Sequence, residues 1–148
     1  MTSTIVNGFR HTGIIVKNMK ESKHFYENIL GLVVMQDYED DSKYINDVLG
    51  LSDGKIRMVK LKSNDGYIIE LLEYIHHPTD LLDRPFYNVG SCHVAFTVKN
   101  ADQIYQRLKN AGIEIISEPL LSSDKTAKVF FCIDPNSIRV ELVEIVKC

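Results

Sequence analysis

A chain of 148 residues, 45% hydrophobic and 25% charged, has the size of one ordinary domain and enough apolar side chain for a real core. Its net charge of −3, with no basic stripe, excludes an electrostatic footprint for nucleic acid, and no apolar run approaches the roughly 20 residues that span a bilayer. Residues 1–10 lack a signal-peptide pattern, and the cysteines (Cys92, Cys132 and Cys148) are odd in number with no CxxC spacing, so the expectation is reduced thiols in a cytoplasmic protein with no membrane partner.

The first predicted element is a strand, His11-Thr12-Gly13-Ile14-Ile15-Val16, followed by Lys17-Asn18. Asn18 with Glu21 three residues on fits a capping box. It starts a predicted helix with Ser22, Phe25, Tyr26, Ile29 and Leu30 at helical spacing, stopped by Gly31. Strands are predicted at 32–35 and 55–62. Between them lies an insertion, 36–53, rich in Asp37, Glu39, Asp40, Asp41 and Asp47. It reads as a solvated acidic loop, with a lid over substrate as its functional alternative. The turn Asp65-Gly66 leads into a strand, Tyr67-Ile68-Ile69-Glu70-Leu71-Leu72-Glu73. Residues 78–87, with Pro78, Asp80, Asp83 and Pro85, read as a linker.

The same order then recurs. His93-Val94-Ala95-Phe96-Thr97-Val98 is followed by Lys99-Asn100, with Gln103 completing a second capping box. The helix carries Ala101, Ile104, Leu108 and Ala111 and stops at Gly112. Strands are predicted at 114–116 and 128–133, and Asp134-Pro135-Asn136-Ser137 turns into Ile138-Arg139-Val140-Glu141-Leu142-Val143-Glu144. Each unit is strand, helix, three strands. The expected organisation is one α+β domain over 1–148, with module one at 9–75 and module two at 91–146.

Four residues occupy matched places: His11 and His93 on the first strands, Glu70 and Glu141 on the last. A carboxylate on an apolar strand is costly to bury unless it is paired or holds a metal. Two imidazoles and two carboxylates form a mixed nitrogen–oxygen set that suits one divalent ion: Zn, Ni, Co, Mn or Fe. His24, His76 and His77 read as surface residues, and Cys92 as core. Arg139 shares a strand face with Glu141, facing an anionic substrate group or pairing with Glu141.

With these segments in hand, the chain resembles the vicinal oxygen chelate superfamily, which includes glyoxalase I, methylmalonyl-CoA epimerase, extradiol dioxygenases and fosfomycin-resistance proteins. The likeness rests on the opening His11, on Phe25-Tyr26 and Leu30-Gly31-Leu32 at the helix end, and on Asp134-Pro135-Asn136 before Glu141-Leu142. It implies paired βαβββ modules in a curved, incomplete barrel around a metal cavity, with His11, Glu70, His93 and Glu141 as ligands. It also implies a metal-dependent lyase or isomerase, glyoxalase I-like or acyl-CoA epimerase-like. Such an enzyme acts on a small carbonyl or acyl thioester through an enolate-type intermediate, with Glu141 as first choice of base and Glu70 as second. Ile15 stands where bacterial glyoxalase I carries an arginine for glutathione, and Tyr74 where it carries an asparagine, which counts against glutathione. The alternatives within the resemblance are a drug-binding protein of the bleomycin-resistance type and a thiol transferase to an antibiotic. A homodimer is expected, with modules pairing within or between chains.

Overall fold

The computed structural model describes residues 5–83 and 85–146; Cys148 lies outside them. The first unit contains β1 (Thr12–Ile15), α1 (Met19–Lys23), β2 (Val33–Asp40), α2 (Lys43–Leu49), β3 (Ile56–Lys62) and β4 (Ile68–Tyr74). The second contains β5 (His93–Thr97), α3 (Ala101–Asn110), β6 (Leu120–Leu121), β7 (Ala127–Ile133) and β8 (Arg139–Ile145). The strands form two four-stranded sheets of identical order, β1-β4-β3-β2 and β5-β8-β7-β6. The fold is α+β, and the two sheets do not close into one barrel. Among the described residues no helix is long and apolar enough to cross a membrane.

The helix caps follow the local sequence. Asn18 accepts from the Glu21 amide at 3.1 Å and Asn100 from the Gln103 amide at 2.8 Å. After α1 the chain widens into a π-type stretch, His24–Ile29, that carries Phe25, Tyr26 and Ile29 into the core. The ends of the two helices record this widening. Past α3 the Ile113 amide reaches the Leu108 carbonyl, five residues back; past the π stretch the Leu32 amide reaches Tyr26, six back. Gly31 and Gly112 both take the left-handed conformation that such a reversal needs, at φ +85° and +70°.

Two expectations are corrected. The insertion 36–53 is not an acidic loop. Its first residues extend β2 to Asp40, and Asp37 is held by a two-pronged contact to Arg57 and a third to Lys23, all at 3.0 Å. Its remainder folds as α2, capped by Ser42 and ended by Gly50, and packs Ile45 and Leu49 on Ile56, Met58, Leu72 and Tyr74. In the second unit the predicted strand at 114–116 amounts to a single bridge, Ile115 to Cys132. The fourth strand of that sheet is instead the short β6, which begins immediately after Pro119, a residue with no amide to donate to a ladder.

One core cluster joins the units, with Phe25, Tyr26, Ile69 and Leu71 on one side and Leu108, Phe130, Val140 and Leu142 on the other. A polar interlock runs alongside it. The buried Tyr26 hydroxyl donates to Asp134 at 3.0 Å. Asn136 donates to Ser22 at 3.0 Å and accepts from the Lys17 amide at 3.0 Å. Asp134 also accepts the amides of Asn136 and Ile138, both at 2.8 Å, so its carboxylate is satisfied where it is buried. Removing the Tyr26 hydroxyl leaves that carboxylate short of a donor. Tyr26→Phe is expected to lose about 1–3 kcal/mol of stability in urea unfolding, with the slope m unchanged.

Candidate metal centre

Along β1 the side chains of Ile14 and Val16 enter the core, so His11, Gly13 and Ile15 lie on the opposite face. β4 runs parallel to β1 with Gly13 opposite Glu70. The register sets the His11 ring over the carboxylate, Nε2 to Oε2 3.1 Å. The second sheet repeats the arrangement: β5 runs parallel to β8, Ala95 lies opposite Glu141, and His93 Nε2 is 3.1 Å from Glu141 Oε2. A small residue thus sits across from each glutamate, two positions after each histidine.

The four candidate ligands come together two and two. Among the described residues no three His, Cys, Asp or Glu side chains gather closely enough to hold one ion. Each pair nevertheless suits two sites of a shared ion. Ligand atoms about 2.1 Å from a metal and in neighbouring positions lie about 3.0–3.4 Å apart, which matches both contacts. Imidazole nitrogen and carboxylate oxygen are also the donors a borderline divalent ion takes.

The two pairs differ in setting. Glu70 is 6% exposed, with the Lys60 ammonium 3.7 Å away as a second partner. Burial of that carboxylate is tolerable because His11 and Lys60 flank it. The side chain of Glu141 is 23% exposed, and that of His93 52%. The His93 ring packs edge-on against Phe131 with centroids 5.6 Å apart. Phe131 occupies, opposite Glu141, the register position that Lys60 occupies opposite Glu70.

The other singled-out residues resolve clearly. His76 and His77 are exposed and engage Asp53, His76 Nδ1 at 2.8 Å from its carbonyl and His77 Nε2 at 3.3 Å from its carboxylate. His24 is exposed, as expected, and its Nδ1 lies 3.1 Å from the Asn28 side-chain oxygen. Cys92, expected in the core, is exposed where the chain enters β5. Arg139 does not pair with Glu141; its guanidinium carbon stacks 3.4 Å from the ring centre of Phe86 in the linker. A cavity of about 1440 Å³ opens here, bounded by Gly13, Ile15, Leu81, Phe86, His93 and Arg139 among others. Lys60, Phe86 and Phe131 escape a reading of the sequence because their places depend on register and on the path of the linker. The alternation in β3 carries a trace of Lys60, and Phe86 has no local signal.

Comparison with known proteins adds three findings. Residues 8–142 match the model of the Glyoxalase/Bleomycin resistance protein/Dioxygenase superfamily. Among curated relatives, the uncharacterized protein YwkD of Bacillus subtilis is 32% identical over 141 residues, 95% of this chain and 98% of its own, and a lactoylglutathione lyase of Neisseria meningitidis is 25% identical over 138 residues, 90% of this chain and 88% of its own. A crystal structure of a glyoxalase family protein from Bacillus cereus superposes with a TM-score of 0.89 at 22% identity, covering 99% of both chains.

The two described thiols should separate chemically. Burial pushes the Cys132 thiol up to about 12, with the Asp134 carboxylate adding to the shift, whereas Cys92 is exposed. Iodoacetamide at pH 8 followed by peptide mapping is expected to label Cys92 and spare Cys132 in the native protein, and to label both after unfolding.

Proposed function

The chain belongs to the glyoxalase/bleomycin resistance protein/dioxygenase superfamily, and on that premise we propose that it is a metal-dependent lyase or isomerase. Its substrate on this reading is a small carbonyl compound or acyl thioester, handled by proton transfer on the carbon beside the carbonyl. The observation that carries the reading is the duplicated His–Glu pair, His11 with Glu70 and His93 with Glu141, each at 3.1 Å on the equivalent parallel strand pair of its sheet. A protein that merely sequesters a drug has no use for that duplication. A homodimer completes the site, one copy's His11–Glu70 pair meeting its partner's His93–Glu141 pair. Exposed apolar side chains at Ile15, Leu120, Leu121 and Ile145 support an association of that kind.

A divalent ion held by these four side chains would supply positive charge to the carbonyl oxygen as electrons move onto it. The proton is handled by the chain's own carboxylates. Glu141 takes it from the carbon beside the carbonyl, leaving an enolate-type species; a proton then returns to that same carbon in an epimerisation of an acyl thioester, or to the former carbonyl carbon in a glyoxalase-type isomerisation. Glu141 suits this role because it is the more exposed of the two glutamates and, among the described residues, has no ammonium contact of the kind Lys60 makes with Glu70. Glu70, the second candidate, is buried between His11 and Lys60 and is better suited to staying in place.

The test is turnover of methylglyoxal–glutathione and of methylmalonyl-CoA by protein loaded in turn with Zn, Ni, Co, Mn or Fe, with bound metal measured alongside. Glu141→Gln is expected to retain metal and to lower kcat by about 100- to 10,000-fold. Full turnover with metal retained removes Glu141 from the role. A wild-type protein that takes up none of these metals belongs with the drug-binding members of the superfamily.

A further inference from the structure

We infer that Arg139 and Phe86 form an anion-binding subsite beside the candidate metal centre, which makes the substrate a carbonyl compound carrying a compact carboxylate or phosphate. The word substrate rests on the function proposed above; the subsite itself rests on geometry. Arg139 is in register with His93 on one side and with Ile133 on the other. Strand alternation puts it on the same face as Glu141, two residues along. Its guanidinium lies on the Phe86 ring at 3.4 Å, a stacked arrangement that fixes its plane. Stacking covers one face and leaves the N–H donors along the edges, the fork that grips a carboxylate or phosphate by two parallel hydrogen bonds.

Nothing described in the chain takes that fork. The nearby carboxylate on the same face, Glu141, is engaged by His93, and among the described residues no Asp or Glu forms an ion pair with Arg139. The guanidinium is half-buried and lines the open cavity, so its edge donors are available to an anion that enters there. Nor does the repeat require an arginine here: Ile68, two residues before Glu70, occupies the equivalent position in the first sheet. Arg139, Phe86 and His93 border the same cavity, so an anion on the fork projects the rest of its molecule alongside His93. Phe86 belongs to the linker between the units, and its stacking ties that segment to the subsite.

Calorimetric titration of the purified full chain tests this, with butyrate and butyl phosphate as the anionic probes and butyramide as the uncharged control. At least one anion is expected to bind saturably and butyramide not to bind; the tighter anion identifies the group. Arg139→Gln is expected to raise Kd for that anion about tenfold or more, and Arg139→Lys and Phe86→Ala to raise it by less, because each keeps the charge but loses the oriented fork. Absence of binding by both anions, equal binding of butyramide, or unchanged affinity in Arg139→Gln overturns the subsite. If Arg139→Gln fails to fold, unchanged affinity in both Arg139→Lys and Phe86→Ala overturns it instead. Turnover is not measured, so a negative result leaves the role of Glu141 standing, and an inactive Glu141 reading leaves the subsite standing.

Discussion

Parallel pairing of the first and last strand in each unit is the constraint on which the molecule's chemistry depends. A histidine at the foot of one strand and a glutamate in the middle of another are far apart along the chain. They meet because Gly13 stands opposite Glu70 and Ala95 opposite Glu141. A slip of one residue in either register would turn the carboxylate to the other face, among the core side chains, at a cost the fold could not carry. The interleaved helices and the shared core exist in part to hold that register. Ile69 and Leu71 flank Glu70 and are fully buried, as Val140 and Leu142 are around Glu141.

Duplication produced two similar pairs, and their neighbours have made them unequal. On the first sheet the glutamate is buried and doubly partnered, by His11 and Lys60. On the second the pair is more open, an aromatic ring replaces the lysine, and an arginine replaces an isoleucine. Rigidity therefore lies on one side and access on the other. A catalytic carboxylate must reach a proton, so it belongs on the open side, and Arg139 with its stacked Phe86 lies on that side as well. Helix α2 adds to the asymmetry, because it covers part of the first sheet through Ile45 and Leu49 and has no counterpart in the second unit.

Much of this was legible because it is local. Asn18 and Asn100 announce helix starts by side-chain chemistry, Gly31 and Gly112 announce ends by backbone freedom, and the matched His and Glu positions reveal the repeat. What could not be read depends on distant partners. Asp37 and Glu39 look like loop residues, since isolated charges are rare in strands, yet Arg57 and Lys55 neutralise them across the sheet. Helix α2 did carry local signals, Ser42 before it and Gly50 after it, which the surrounding acidic residues obscured. The four ligands were expected to converge with the modules pairing either within a chain or between chains, and within one chain the fold delivers two pairs. No sequence pattern specifies how two equivalent surfaces face one another, because that is decided by packing between whole units.

The central claim is that both pairs serve one ion. X-ray absorption spectroscopy of the metal-loaded protein reads this directly, because imidazole rings give a characteristic multiple-scattering signature. The account predicts two imidazole nitrogens per ion at about 2.0–2.1 Å, with oxygen donors completing the shell, and loss of one imidazole in His11→Ala and in His93→Ala alike. One imidazole per ion in the wild-type protein, or a spectrum unaffected by either substitution, would contradict it.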